Sequence, residues 1–263
     1  MSQIEHLVPL KEIVVDRNEV LSIKRYDLVP LLNDQYKLNH YADSLIQAQS
    51  LLLDGVDPHL TLKLSQTIEQ LIQALAKSKK YLKKRKFNKV QKWLGIDIEY
   101  GSSQIEYYKN LNELLDRADD LSQKLQIEIQ KSQARFKQLI CLRVQMFQYI
   151  VSAEDFLLEY PSFVKDIHPL DQFSERLSKK INTLHTLQVS NDIAITQMRL
   201  SQQLSFGLLD RFKEAQQVLI PAWQYHVKQS QQSNSTVELE KLDNSREKLI
   251  KNLKKSLEKP SNS

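Results

Sequence analysis

Glycine is scarce in this chain, with four in 263 residues, and there is a single cysteine. Few glycines leave little material for β-turns or for the loops that cradle phosphates, so sheet-based enzyme folds are disfavoured and an all-α architecture is favoured. Cys141 alone allows no intramolecular disulfide, fits a reducing compartment, and reads as buried packing beside an apolar stripe. No window approaches ~18 uninterrupted apolar residues, and Met1 to Val20 mixes acidic with apolar residues where a secretory signal would not. The expectation is a soluble, cytoplasmic protein.

What is present is helical pattern. From Ser102 to Tyr160 there is no glycine and no proline. Apolar residues recur in steps of three and four, including Leu111, Leu121, Leu125, Ile129, Phe136, Val144, Phe147 and Leu157. One very long amphipathic helix is expected there, with Gly95 and Gly101 breaking the chain before it and Ser102 or Ser103 as N-cap. Its seam needs cover from another long helix. Leu177, Ile181, Leu184, Met198, Leu208 and Phe212 supply one to about Val227, after a reversing loop from Pro161 to Gln172. Pro221 predicts a kink or a fresh start within it.

The predicted fold is thus all-α, an elongated, coiled-coil-like bundle on a long antiparallel helical hairpin. Four segments are expected. Residues 1–34 form a short irregular segment, read either as strands at Glu12–Val15 and Val20–Ile23 or as one frayed helix interrupted by Pro30. Residues 35–95 form a helical pair, one helix from about Asp34 to Leu53 and one through Leu60, Leu64, Ile68 and Leu75. Residues 96–228 form the hairpin. Residues 229–263 form a polar linker at Ser230–Ser235, a short amphipathic helix and a tail.

Charge is concentrated. The chain carries +5, yet residues 77–92 hold only basic charges, at Lys77, Lys79, Lys80, Lys83, Lys84, Arg85, Lys86, Lys89 and Lys92. The remainder is net acidic. Tyr81, Phe87 and Trp93 interleave with this run, so it has basic and apolar faces. A solvated helix packed by its aromatic side is the plain reading. Contact with an anionic membrane surface or other anionic partner through Lys79, Lys80, Lys83, Lys84, Arg85, Lys86 and Lys89 is the second, and nucleic-acid binding the third.

Chemistry-bearing patterns are few. The six histidines never pair at helical spacing, which disfavours a transition-metal site. Asp166 and His168 read as an ordinary turn. Asp116, Asp119 and Asp120, one turn after Glu113, could hold Mg²⁺ only with a second such helix opposite, so they read as a solvated face. No nucleophile motif or nucleotide loop stands out, so no catalytic, cofactor or metal residue is assigned and the expectation is a non-enzyme.

Ile193-Ala-Ile-Thr-Gln-Met198 followed by Val218-Leu-Ile-Pro-Ala-Trp-Gln224 resembles the TelA-like toxic anion resistance family, in which a Gln-rich helical segment runs into an Ile-Pro-x-Trp step. Gln104-Ile105 leading into Leu111, Leu115, Asp119 and Leu121, and Val237 to Leu242 with Leu249-Ile250, are similar to that family in the same order. The resemblance spans roughly residues 60–258 and marks Gln197, Ile220, Pro221 and Trp223. It implies a cytoplasmic, helical, bacterial stress-resistance protein linked to tellurite, with no agreed catalytic residues. A scaffold or adaptor follows, contacting other proteins, its own copies, or the inner face of the membrane. Nucleic-acid binding and coiled-coil assembly or membrane shaping are the alternatives.

Overall fold

The computed structural model describes residues 7–82, 91, 96–163, 172–232 and 236–258. The fold is all-α, and no strand occurs among the described residues. Its helices are α1 (Arg17–Ile23), α2 (Gln35–Leu38), α3 (Asp43–Ser50), α4 (Pro58–Leu82), α5 (Ile96–Phe163), α6 (Phe173–Glu214), α7 (Ile220–Gln232) and α8 (Thr236–Leu257). They form two compact units, one of residues 1–55 and 131–200, the other of residues 56–130 and 201–263. Both α5 and α6 contribute to each unit.

In the first unit, the second part of α5 runs antiparallel to α6. Arg143 pairs with Asp192 and, two to three turns on, Glu154 pairs with His185 at 2.8 Å. The core gathers Leu28, Leu38, Met146, Ile150, Phe156 and Leu177, with the Tyr160 and Phe173 rings stacked at 5.0 Å. The N-terminal segment is helical rather than stranded. Asp16 caps α1 by accepting from the Asn18 amide at 2.9 Å, and a π turn (Lys24–Leu28) and a 3-10 turn (Val29–Leu32) continue it past Pro30. Lys24 is buried, and Glu159 and Asp155 reach its ammonium at 2.9 and 3.4 Å, so the side chain is paired where it leaves solvent.

The helix expected from Asp34 to Leu53 is split. Ala42 adopts φ 62°, a left-handed turn that carries a steric cost for any residue with a Cβ, and α3 starts anew after it. Tertiary bonds hold that turn. The buried Tyr41 hydroxyl donates to Tyr149 O at 2.8 Å, and Lys180 donates to Asn39 O and Asp43 at 2.6 and 2.8 Å.

In the second unit, α4, the first part of α5, the end of α6, α7 and α8 share one apolar seam through Leu64, Leu71, Leu111, Leu125, Phe212, Trp223 and Leu249. Here too α5 and α6 are antiparallel, Lys213 donating to Gln126 and the following turn's Gln216 to Asp119. Arg211 donates to Lys255 O and to Glu258 O, satisfying carbonyls at the C-terminal end of α8.

Several boundaries differ from expectation. Helix α5 begins at Ile96 and passes over Gly101, since one glycine costs a helix only about 1 kcal/mol and the long seam outweighs it. It also runs past Pro161, which meets solvent in the last turn, and residues 164–171 of the expected loop lie outside the described residues. Helix α7 continues to Gln232, consuming the first part of the expected linker. Cys141 is exposed, not packed: it lies two positions beyond the buried Leu139, about 200° around the helix, which turns it outward.

Candidate functional site

Three of the four motif residues meet at one place in the second unit. At the junction of α6 and α7 the helix widens into a π turn, Ala215–Leu219, closed by the Ile220 amide donating to Ala215 O. Pro221 explains it. A proline lacks an N–H and its ring collides with the carbonyl four residues back, and a wider turn moves that carbonyl aside. The expected kink or fresh start is therefore a through-going helix with one extra residue in a turn. Burial records the change: inward positions run Phe212, Ala215, then skip five to Ile220, Trp223 and Val227.

Ile220 and Trp223 point into the seam, at 6% and 2% exposure, whereas Pro221 is exposed. Trp223 and Ile220 join Leu71, Leu75, Leu111 and Leu249 around a void of about 10 Å³, too small and too apolar to suit a ligand. The indole Nε1 finds no hydrogen-bond partner there. This part of the motif is packing.

On its other side Ile220 floors an open cleft of about 370 Å³, with Phe212 and Leu115. Its walls are polar, formed by Asn112, Asp116 and Asp119 from α5 and by Gln216 and Gln224 from the π turn and α7. The Asp119 carboxylate is already engaged, accepting from Gln216 and from Gln123. Asp120 points elsewhere and pairs with Lys124 at 2.7 Å. The aspartates read as a solvated face are thus divided, two lining a cleft and one in a surface ion pair. No group of three or more His, Cys, Asp or Glu positioned to hold a metal ion occurs among the described residues. The cleft offers amides and carboxylates for hydrogen bonding, with no thiol, histidine or hydroxyl nucleophile on its lining.

A second groove, about 520 Å³, lies between α4 and α5, lined by Gln70, Gln73, Lys77, Ser103, Glu106 and Asn110. Tyr107 spans it at its base, donating to Ala74 O at 3.0 Å. Lys77 is the start of the basic run. Lys79 and Lys80 fall in the last turn of α4 with side chains outside the described residues, and Lys83, Lys84, Arg85, Lys86 and Lys89 lie outside them altogether. Gln197 belongs to the other unit, exposed on α6.

The first unit has a polar layer that sequence reading did not single out. Buried Arg143 makes a bidentate pair with Asp192 at 2.7 and 2.8 Å, Gln188 donates to the same carboxylate at 3.3 Å, and Asn191 donates to the fully buried Gln49 at 2.5 Å. The signal lay in one charged residue, Arg143, inside the apolar stripe between Leu139 and Met146. Nearby, burial followed by the Asp27 carboxylate pushes the Tyr149 phenol up to about 12, and burial pushes Tyr41 up further. Burial opposes ionisation of Asp43, but hydrogen bonds from Lys180 and His40 outweigh it and hold the carboxyl below its usual range.

No helix among the described residues is long and apolar enough to cross a membrane. No family model and no solved structure matches the chain. It is similar to Protein KlaA of Escherichia coli, 29% identical over 191 residues that cover 70% of this chain and 72% of that protein.

Proposed function

We propose that this chain is a non-enzymatic helical scaffold of toxic anion (tellurite) resistance, cytoplasmic, working through contacts with proteins or with the anionic inner surface of the membrane. The TelA-like Ile220-Pro221-Ala222-Trp223 step carries the reading, and the similarity to KlaA over 70% of the chain supports a shared helical framework behind it. Reduction of an oxyanion asks for paired thiols or a redox cofactor, and the sequence has one cysteine. Both clefts of the second unit are instead lined by amides and charged side chains suited to recognition. The basic run at residues 77–92 supplies attraction to an anionic surface, worth about 1 kcal/mol per Lys or Arg near the lipid.

Expression in a tellurite-sensitive host should raise tolerance while purified protein leaves tellurite unchanged in the presence of a simple electron donor. Transformation of tellurite by the pure protein would overturn the scaffold reading. For the surface, wild type should sediment with anionic but not neutral liposomes, and a variant with Lys83, Lys84, Arg85 and Lys86 all changed to Gln should stay in solution. Equal sedimentation of both proteins sinks the membrane part.

A further inference from the structure

In the first unit, α6 turns one face outward through Asn182, Thr186, Val189, Ile193, Thr196 and Leu200, every one exposed. Their spacing alternates four and three, the repeat of a coiled-coil seam. Between residues 181 and 200 no exposed position carries a charge. An ordinary solvated helix face does, as α5 of the same unit does at Lys131, Lys137 and Glu159.

The threonine hydroxyls on and beside this face are already satisfied. Thr183, Thr186 and Thr196 donate to the carbonyls of Lys179, Asn182 and Asp192, at 3.0, 2.9 and 2.8 Å. Each threonine therefore has its hydroxyl proton bonded within its own helix, and covering it does not strand an unpaired donor. With Val189, Ile193 and Leu200 at 54%, 57% and 56% exposure, the face is apolar in effect and cheap to dehydrate.

We propose that this face of α6 is a self-association seam, pairing antiparallel with the same face of a second copy about a two-fold axis at Ile193. The inference rests on the scaffold reading and names one of its partners. A two-fold interface sets each patch against itself, so a charge near the axis would meet its own image. None of the six seam positions carries one, and the partly exposed Asp192 is already paired with Arg143. The register is self-consistent: with Ile193 facing Ile193 of the copy, Thr186 meets the copy's Leu200, and Ser190 falls beside the copy's Gln197, hydroxyl to amide. That gives exposed Gln197 a role. A seam of about 28 Å on one helix is small beside standard interfaces, so the dimer should be weak.

Sedimentation equilibrium of the full chain from about 1 to about 300 µM tests this. Wild type should pass from monomer towards dimer, while Ile193→Lys and Ile193→Glu each weaken association at least about tenfold, like charges now meeting on the axis. Mixing the two variants should restore the dimer, because Lys then faces Glu. A wild type that stays monomeric throughout, a dimer that persists in Ile193→Lys, or a mixture that stays monomeric would each overturn the seam. If circular dichroism shows helix loss at position 193, Val189→Lys, which meets the copy's residue 197 in this register, should weaken association at least about tenfold, and adding Gln197→Glu to the same chain should restore it; failure of either step overturns the seam. A monomeric protein that still confers tellurite tolerance removes the seam and leaves the scaffold standing.

Discussion

The unit of residues 1–55 and 131–200 interrupts its seam with a polar layer, Arg143 and Asp192 with Gln188, Asn191 and Gln49, between one apolar cluster around Met146 and Phe156 and another around Leu139 and Ile195. The unit of residues 56–130 and 201–263 keeps a single apolar cluster that includes Trp223, and buries the small hydroxyls of Thr67 and Ser122 and the charged Arg246 as well. A polar layer of this kind adds little net stability but penalises any sliding of one helix past another, because a slip of one turn would bury Arg143 without its carboxylate. An apolar seam tolerates slippage better and gains its stability from area. The first unit carries a buried ion pair inside its seam, whereas the second relies more on packed area, with its α5–α6 polar bonds, Lys213 to Gln126 and Gln216 to Asp119, outside the apolar cluster.

The contrast breaks most sharply at its two centres. Asp192→Ala should cost about 3–5 kcal/mol by stranding Arg143, yet the double change Arg143→Met with Asp192→Leu should recover most of that loss. Trp223→Ala should cost a similar ~3–5 kcal/mol, and no polar substitution nearby should rescue it, because the loss is volume. Denaturant melts supply the totals. Hydrogen exchange supplies the location, with protection falling first in residues 43–50 and 143–192 for one and in residues 64–75 and 212–227 for the other.

A smaller effect separates the units by pH. Tyr149 and Tyr41 hold their protons above the ordinary phenol range, so an unfolded chain ionises first as pH rises. Stability is full below about pH 10 and falls from there towards pH 12, and Tyr149→Phe should flatten that slope by about 1 kcal/mol after discounting a partly exposed ring. Thermal melts at pH 9, 10 and 11 (about one pH unit apart) check it, and an unchanged slope would remove Tyr149 from the account. The smallest effect runs the other way. Ala42→Gly should stabilise by about 0.5–1 kcal/mol, since relief of the left-handed strain exceeds the added freedom of the unfolded chain. A fall in melting temperature on that change would show that the Cβ of Ala42 packs rather than strains.

Helix existence was legible because period and length agree. The stripe from Leu111 to Leu157 specifies α5 whatever its neighbours do, and Leu64, Ile68, Leu71 and Leu75 specify α4 as plainly. What escaped sequence reading is tertiary. Asp34 to Leu53 has helical spacing throughout, and only the bonds from Lys180 and Tyr41 across to other segments make the break at Ala42 worth its cost. Gly101 and Pro161 were given the weight of stops, but neither outweighs a seam of that length. At the candidate site, the burial of Trp223 is of a kind legible in sequence, because a large aromatic on a helix buries its area. The cleft beside it was not, because Asp119 and Gln216 lie far apart in sequence and meet only through the antiparallel pairing of α5 with α6.

Both π turns lie immediately before an Xaa-Pro step, Lys24–Leu28 before Val29-Pro30 and Ala215–Leu219 before Ile220-Pro221. Each absorbs one residue more than an α-turn while leaving the following side chains in phase with the seam. Chain length and proline content are therefore linked. Deleting an exposed residue such as Gln217 would close the turn to a regular one and carry the Pro221 ring against the carbonyl behind it, whereas the same deletion after Pro221→Ala would leave Ile220 and Trp223 facing inward as before. A lineage can shorten this helix by one codon at that point only once the proline has gone, which makes the order of the two changes, and not merely their sum, a property of the fold.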